Sequence, residues 1–197
     1  MEAGAALIAR ARLICGEQHV ITHPRILATY RSDGLRRDGP LPLAAILPAS
    51  VPEVANVVSA CAATGIGFRV RGAGTSQSGD ALPQADGVLL VLTRMRRVIT
   101  VTDHEVTAEA GTPVAPLLGL GALAWPHGIA PLGTVGGYVA QTGGVANITS
   151  LELVRPSGEL VRLDSRRPGY DLTGAFPGSR GQSGVAVVIT LRRGQRS

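Results

Sequence analysis

Residues 68–83 read FRVRGAGTSQSGDALP, and this stretch decides the fold. Phe68-Arg69-Val70 is a strand-like run. Arg71 opens a loop in which Gly72, Gly74 and Gly79 are interspersed with Ala73, Thr75, Ser76, Gln77 and Ser78. Glycine reaches positive φ without a Cβ clash, so successive N–H groups of such a loop can converge on one anion. Thr75, Ser76 and Ser78 add hydroxyl donors, and Arg71 adds a charge suited to phosphate oxygens. The stretch reads as a pyrophosphate-binding loop, in which a Gly74→Val side chain is expected to stand in the pyrophosphate's place. A flexible Gly/Ser linker is the competing reading. The shortness of the loop, the leading Arg71 and the closing Ala81-Leu82-Pro83 argue against it. It is not a G-x-G-x-x-G fingerprint, because Gln77 stands where the third glycine would fall. Nor is it a P-loop, because no Gly-Lys-Ser/Thr occurs.

Upstream of the loop, Ala44–Leu47 reads as a strand ending at Pro48. Ser50 and Glu53 form a capping box with Pro52 in the first turn. The helix they open carries Val54, Val57, Val58 and Cys61 on one face and stops near Gly65. Strand, helix and strand within about thirty residues make a βαβ unit with a parallel pair. Ligands gather outside the carboxyl ends of such strands, where the glycine loop lies. Residues 3–18 read as a helix and Tyr30–Pro42 as loop. Downstream, Gly87–Leu92, Val98–Val101 and Val106–Ala110 read as strands, Pro113–Leu123 as a helix, and Gly184–Leu191 as a final strand. Ile148–Val154 and Leu160–Leu163 flank Pro156-Ser157-Gly158 as a hairpin. No linker separates the halves, so the chain should form two α+β lobes sharing one cleft.

Of the 197 residues 45% are hydrophobic but only 3% aromatic, so the core must be built from Ala, Val, Leu and Ile. The net charge of +5 comes from scattered arginines such as Arg36-Arg37, Arg96-Arg97 and Arg192-Arg193. Aromatics are too few for a base-stacking platform, which argues against nucleic acid. Cys15 and Cys61 read as buried free thiols, and no His/Cys cluster suggests a metal. There is no eighteen-residue apolar run, and Glu2, Arg10 and Arg12 break any signal-peptide pattern. A cytoplasmic protein without a membrane span is expected.

Two more glycine-rich elements follow. In the first, Thr134, Gly136, Gly137, Ala140, Gly143 and Gly144 let backbone lie close to a flat ligand or to a neighbouring element. Thr134 could cap a short helix whose N-terminus faces an anion. Close packing through Gly136, Gly137 and Ala140 explains the same residues, and both readings stand at this point. The second element runs from Gly169-Tyr170-Asp171-Leu172-Thr173 through Gly178, Ser179, Arg180 and Gly181 to Val185.

In this order and spacing the three elements resemble the FAD-binding domain of the vanillyl-alcohol oxidase (PCMH-type) flavoprotein family. Within it, the likeness is to the FAD-linked subunit of glycolate oxidase and the D-lactate dehydrogenases. The resemblance rests on Arg71–Ala81, Thr134–Gly144 and Gly169–Gly181, with Tyr30, Asp33 and Pro156-x-Gly158 in register, and covers residues 28–193. It implies an α+β, two-lobed domain. A parallel βαβ lobe at about 28–100 and a lobe with a mixed or antiparallel sheet at about 101–193 follow an N-terminal helix and lead-in (1–27), with 194–197 as a tail.

Extended FAD would lie between the lobes. Arg71–Gly79 would hold its pyrophosphate, and Thr134, Gly136, Gly137, Ala140, Gly143 and Gly144 would run toward the isoalloxazine. Gly178, Ser179 and Gly181 would line the cleft, and Val185 would approach the adenine ribose. Members that bind FAD covalently often use a His in the first loop; Thr75 stands there, which implies non-covalent FAD. Arg180 replaces a usual acid, and Val145-Ala146-Asn147 replaces a longer segment. The implied activity is hydride transfer from a small 2-hydroxy acid to flavin N5. Its substrate-binding groups are expected from a C-terminal cap domain, absent from this chain, or from another subunit of an oxidase complex. The alternative is a non-catalytic remnant or assembly subunit that binds FAD weakly or not at all. No catalytic residue is assigned; His127, beside Trp125-Pro126, is the best-placed histidine for a base.

Overall fold

The computed structural model describes residues 2–121, 132–141, 148–166 and 184–194. Helix α1 (Glu2–Cys15) is shorter than the expected 3–18 because Gly16, at φ +90°, turns the chain into a separate 3₁₀ turn at Glu17–His19. That turn feeds the two-residue strand β1 (Val20–Ile21) and a short helix α2 (Pro24–Leu27), neither foreseen from the sequence.

Strand β2 (Ala44–Ile46) leads to helix α3 (Val51–Thr64). The capping box forms as read: Glu53 N–H donates to Ser50 Oγ at 3.4 Å, and Ala49 N–H donates to Glu53 Oε2 at 2.9 Å. The helix stops at Gly65, and strand β3 (Phe68–Arg71) follows. The next strand, β4 (Val88–Val91), lies between β2 and β3, giving the order β1-β2-β4-β3. β2, β4 and β3 run parallel, with β1 antiparallel on the outer edge of β2; β2 and β3 do not pair with each other, and each pairs with β4. The physical reason is composition. Every residue of Val88-Leu89-Leu90-Val91 is buried, as suits a central strand covered on both faces. Ala44, Ile46, Val88 and Leu90 cluster with Leu7 and Ala11 of α1 and Val54, Val57, Val58 and Cys61 of α3. Ala45, Leu89 and Val91 meet Leu27 of α2 on the other face. Full burial of one such Leu contributes about 2 kcal/mol. Cys15 and Cys61 are buried free thiols; burial, reinforced by Glu53, pushes Cys15 up to about 12, and burial alone takes Cys61 to about 11.

The second sheet contains β5 (Val98–Val101), β6 (Glu105–Glu109), β7 (Ile148–Val154), β8 (Leu160–Asp164) and β9 (Val185–Arg192). Its order is β5-β6-β9-β7-β8, and every neighbouring pair is antiparallel. The β5–β6 and β7–β8 hairpins form as expected. Helix α4 (Val114–Gly119) follows β6, and α5 (Val135–Gln141) precedes β7.

The sheets share one core. Leu90, Leu92 and Met95 of the first half join Val106, Ala108, Leu151, Ile189 and Leu191 of the second in a single cluster. Two glycines mark where the halves touch. A Cβ on Gly111 would strike the Leu92 carbonyl, and one on Gly158 would lie 2.8 Å from Ser59 Cβ on α3.

Candidate cofactor site

Strand β3 delivers Arg71 to the carboxyl edge of the parallel sheet, where the glycine loop begins. Arg71 turns inward. It is 8% exposed, and its Nη1 donates to the Ala81 carbonyl at 2.8 Å and its Nη2 to the Ser32 carbonyl at 2.9 Å. Burial pulls its pKa below the ordinary arginine value, against the opposing influence of Tyr30 and Asp33. Arg71 therefore lies under the loop as its internal tie. Gly74, at φ +76°, arches over it: a Cβ there would run into the guanidinium. A Gly74→Val side chain would thus displace Arg71 from beneath, instead of entering the outer face as expected from the sequence.

The outer face of the loop offers backbone donors. Among the described residues, no N–H from Gly72 to Gln77 has an acceptor. Ala73, Thr75, Gln77 and Ser78 are exposed, and Ser76 is buried. The hydroxyls of Ser76 and Ser78 bond each other at 2.8 Å, and Ser78 also donates to the Asp80 carboxylate. Ser78 N–H meets Ser76 Oγ at 3.3 Å, and Gly79 closes the loop at φ +89°.

A segment that sequence reasoning passed over as loop grips this loop from the side. Gly34 N–H donates to the Ser76 carbonyl at 2.8 Å, and Arg37 Nη2 donates to the Gln77 carbonyl at 2.7 Å. Arg37 is held by Asp33, whose Oδ2 accepts from Arg37 Nε at 2.8 Å and from Nη2 at 2.5 Å. Asp33 Oδ1 accepts the N–H groups of Leu35 at 2.9 Å and Arg37 at 3.0 Å. Burial pushes the Asp33 carboxyl up, but the hydrogen bonds from Arg37 and Leu35 outweigh it and hold the group below its usual value. An Asp and an Arg four residues apart around a glycine were the signal available in the sequence.

The second glycine-rich element meets the first. Thr134 is 5% exposed, and a Cβ on Gly72 would collide with its Oγ1. Gly133 faces Thr75 Oγ1 across 3.4 Å from its ideal Cβ position. Thr134 caps α5, accepting the Gly137 N–H at 3.4 Å. The other leading donors of that helix are engaged: Val135 N–H goes to the Thr112 carbonyl at 2.9 Å and Gly136 N–H to the Ala110 carbonyl at 2.8 Å. Of the two readings left open, packing describes Gly136. Its Cβ would lie 2.9 Å from both the Cβ and the carbonyl oxygen of Ala110. Ala140 packs half-buried against the core. Val185 opens β9 and is 1% exposed, so its side chain belongs to the core. Gly143, Gly144, Gly178, Ser179, Gly181, Arg180, His127 and the 145–147 segment lie outside the described residues.

Residues 42–164, more than half of the chain, match the FAD binding domain family. The chain belongs to that family. Among curated relatives it is 32% identical to the glycolate oxidase subunit GlcD of Escherichia coli K12 over 83% of this chain and 37% of that protein. It is also 32% identical to the D-2-hydroxyglutarate dehydrogenase of Xanthomonas citri pv. viticola (87% of this chain, 41% of that one). The mitochondrial D-lactate dehydrogenase [cytochrome] of Arabidopsis thaliana matches at 32% over 77% of this chain and 30% of that protein. The chain therefore spans less than half the length of these relatives. The 4-ethylphenol oxidase of Gulosibacter chungangensis superposes with a TM-score of 0.79 at 19% identity, covering 98% of this chain and 43% of that one. At that identity it shows the fold alone.

FAD is thus the cofactor of this FAD binding domain. The donor set fits it: a run of backbone N–H groups, unoccupied by acceptors among the described residues, suits a pyrophosphate without a side-chain cation. Among the described residues no group of His, Cys, Asp and Glu is placed to hold a metal, and no helix is long and apolar enough to cross a membrane.

Proposed function

We propose that this chain is the FAD-binding module of a flavin-dependent oxidoreductase acting on small 2-hydroxy acids of the glycolate or D-lactate type. A further domain or subunit supplies the groups that bind and deprotonate substrate. FAD when bound supplies the hydride acceptor. This chain's own residues bind and orient it. The observation that carries the reading is the run of N–H groups from Gly72 to Gln77 that have no acceptor among the described residues, set at the carboxyl edge of the parallel strands and closed by Thr134. The likeness to glycolate oxidase subunit GlcD and D-lactate dehydrogenase at 32% identity supports the substrate class. Thr75 cannot form the covalent flavin link that a His could, which supports non-covalent attachment.

The test is flavin retention. The purified protein is incubated with FAD, desalted, and its spectrum recorded, then precipitated with acid. About one flavin per chain, released entirely into the acid supernatant, is the expected result. A folded chain that retains none favours the non-catalytic or assembly-subunit reading. Flavin that stays with the precipitate refutes non-covalent binding.

A further inference from the structure

We infer that Asp33 and Arg37 are positioning residues that fix which way the peptides of the pyrophosphate loop point; this rests on reading the loop as the FAD pyrophosphate site. A trans peptide is planar, so its C=O and the following N–H point in opposite directions. Gly34 holds the Ser76 carbonyl at 2.8 Å, which turns the Gln77 N–H the other way. Arg37 holds the next carbonyl, that of Gln77, at 2.7 Å; the N–H of that peptide, Ser78's, bonds Ser76 Oγ at 3.3 Å, so Arg37 locks the peptide that ends the Gly72–Gln77 run and with it the Gln77 N–H before it. A peptide that turned over here would aim a carbonyl oxygen where an N–H belongs, and its partial negative charge would repel phosphate.

The hold is stiff because it is anchored on a buried acid. The Asp33 side chain has no exposed surface, whereas that of Arg37 is 47% exposed. Asp33 receives four hydrogen bonds: two from the backbone of its own turn and two from Arg37. Arg37 cannot swing away without leaving a buried carboxylate unpaired. The approach is close enough that Gly34 tolerates no side chain, since a Cβ would collide with the Thr75 carbonyl. Arg71, through the Ser32 carbonyl, ties the same segment from beneath. Segment and loop are therefore pinned at three points, and none uses an N–H from Gly72 to Gln77.

The test compares wild type, Arg37→Ala and the double variant Asp33→Asn/Arg37→Ala. The double variant is the decisive one. It removes the stranded charge, keeps an oxygen for the Leu35 and residue-37 amides, and severs the hold on Gln77, which leaves the Gly34 amide to hold the adjoining Ser76 carbonyl without that support. Dissociation constants for FAD and for ADP are measured with the melting temperature of the apo chain and the hydrogen exchange of the Gly34 amide. In the double variant both ligands should weaken by about tenfold, the apo melting temperature should move by no more than a few degrees, and Gly34 exchange should accelerate. In Arg37→Ala, which keeps the Asp33 carboxylate, added guanidinium ion should restore part of the affinity. Unchanged FAD and ADP affinity in a variant whose wild type binds both overturns the inference while leaving the loop's assignment standing. So does a loss in the double variant that follows a matching loss of melting temperature, together with no guanidinium rescue of Arg37→Ala. If the wild type binds neither ligand, the loop's assignment fails, and Gly34 exchange still decides whether the brace exists: no change overturns it.

Discussion

The loop from Gly72 to Gly79 and the helix from Val135 to Gln141 are built from the same residue types and use them in opposite ways. In the loop, Gly74 and Gly79 take positive φ, and the N–H groups from Gly72 to Gln77 have no acceptor among the described residues. In the helix, Gly136 serves close packing on Ala110, and the leading N–H groups are engaged by Ala110, Thr112 and Thr134. Glycine-rich composition alone therefore does not identify a ligand site. What separates the two regions is whether the backbone donors already have acceptors.

The comparison can be broken most severely at Gly136. Gly136→Val should cost about 2–3 kcal/mol, a melting-temperature loss on the order of 5–10 °C, because Ala110 is backbone-anchored and cannot retreat. The protein that remains folded should bind FAD nearly as before; a selective loss of FAD affinity at unchanged stability would make the helix a ligand element after all. Next is Gly72→Ala, whose Cβ meets Thr134 Oγ1. A loss of about 1–2 kcal/mol is expected, partly relieved in Gly72→Ala/Thr134→Ala, so the double-mutant cycle should show favourable coupling. Additive effects would mean that the two elements do not touch. Gly74→Ala sharpens the contrast. It should cost about 1–2 kcal/mol of apo stability through strain at φ +76° and displacement of Arg71, and weaken FAD by about tenfold. Unchanged FAD affinity would remove the loop from the cofactor site. The smallest effect belongs to Gly79→Ala. A Cβ there meets Arg37 at 3.6 Å and Leu82 at 3.8 Å, ordinary contacts, so only about 1 kcal/mol of backbone strain at φ +89° is expected, read as a small shift in melting temperature.

Local chemistry was legible and long-range placement was not. Ser50, Pro52 and Glu53 announce the start of α3 because a cap is satisfied within four residues. Pro156-Ser157-Gly158 announces the β7–β8 hairpin for the same reason. The insertion of β4 between β2 and β3 was not legible as a pairing, because it depends on which of three parallel strands most needs cover on both faces. At the site, the glycine loop announced itself, but Arg71 was read as facing the ligand. An arginine's side chain is long enough to turn either way, and only the Ser32 and Ala81 carbonyls, one of them thirty-nine residues away, decide its direction. Asp33 and Arg37 were read as part of a loop, Asp33 also as in register with the family, and their role was not legible because Arg37's partner, the Gln77 carbonyl, is forty residues away in the chain.

The single core joining the two sheets has a consequence in the language of linkage. Leu92 and Met95 pack in one cluster with Val106, Leu151 and Ile189, so neither sheet can lose its packing while the other keeps its own. Ligand free energy taken up at the loop is then shared by the whole chain. Each tenfold rise in free FAD above its dissociation constant should raise the stability of every strand by about 1.4 kcal/mol, those farthest from the loop included. Calorimetry should therefore show one transition that moves upward as a unit with cofactor concentration.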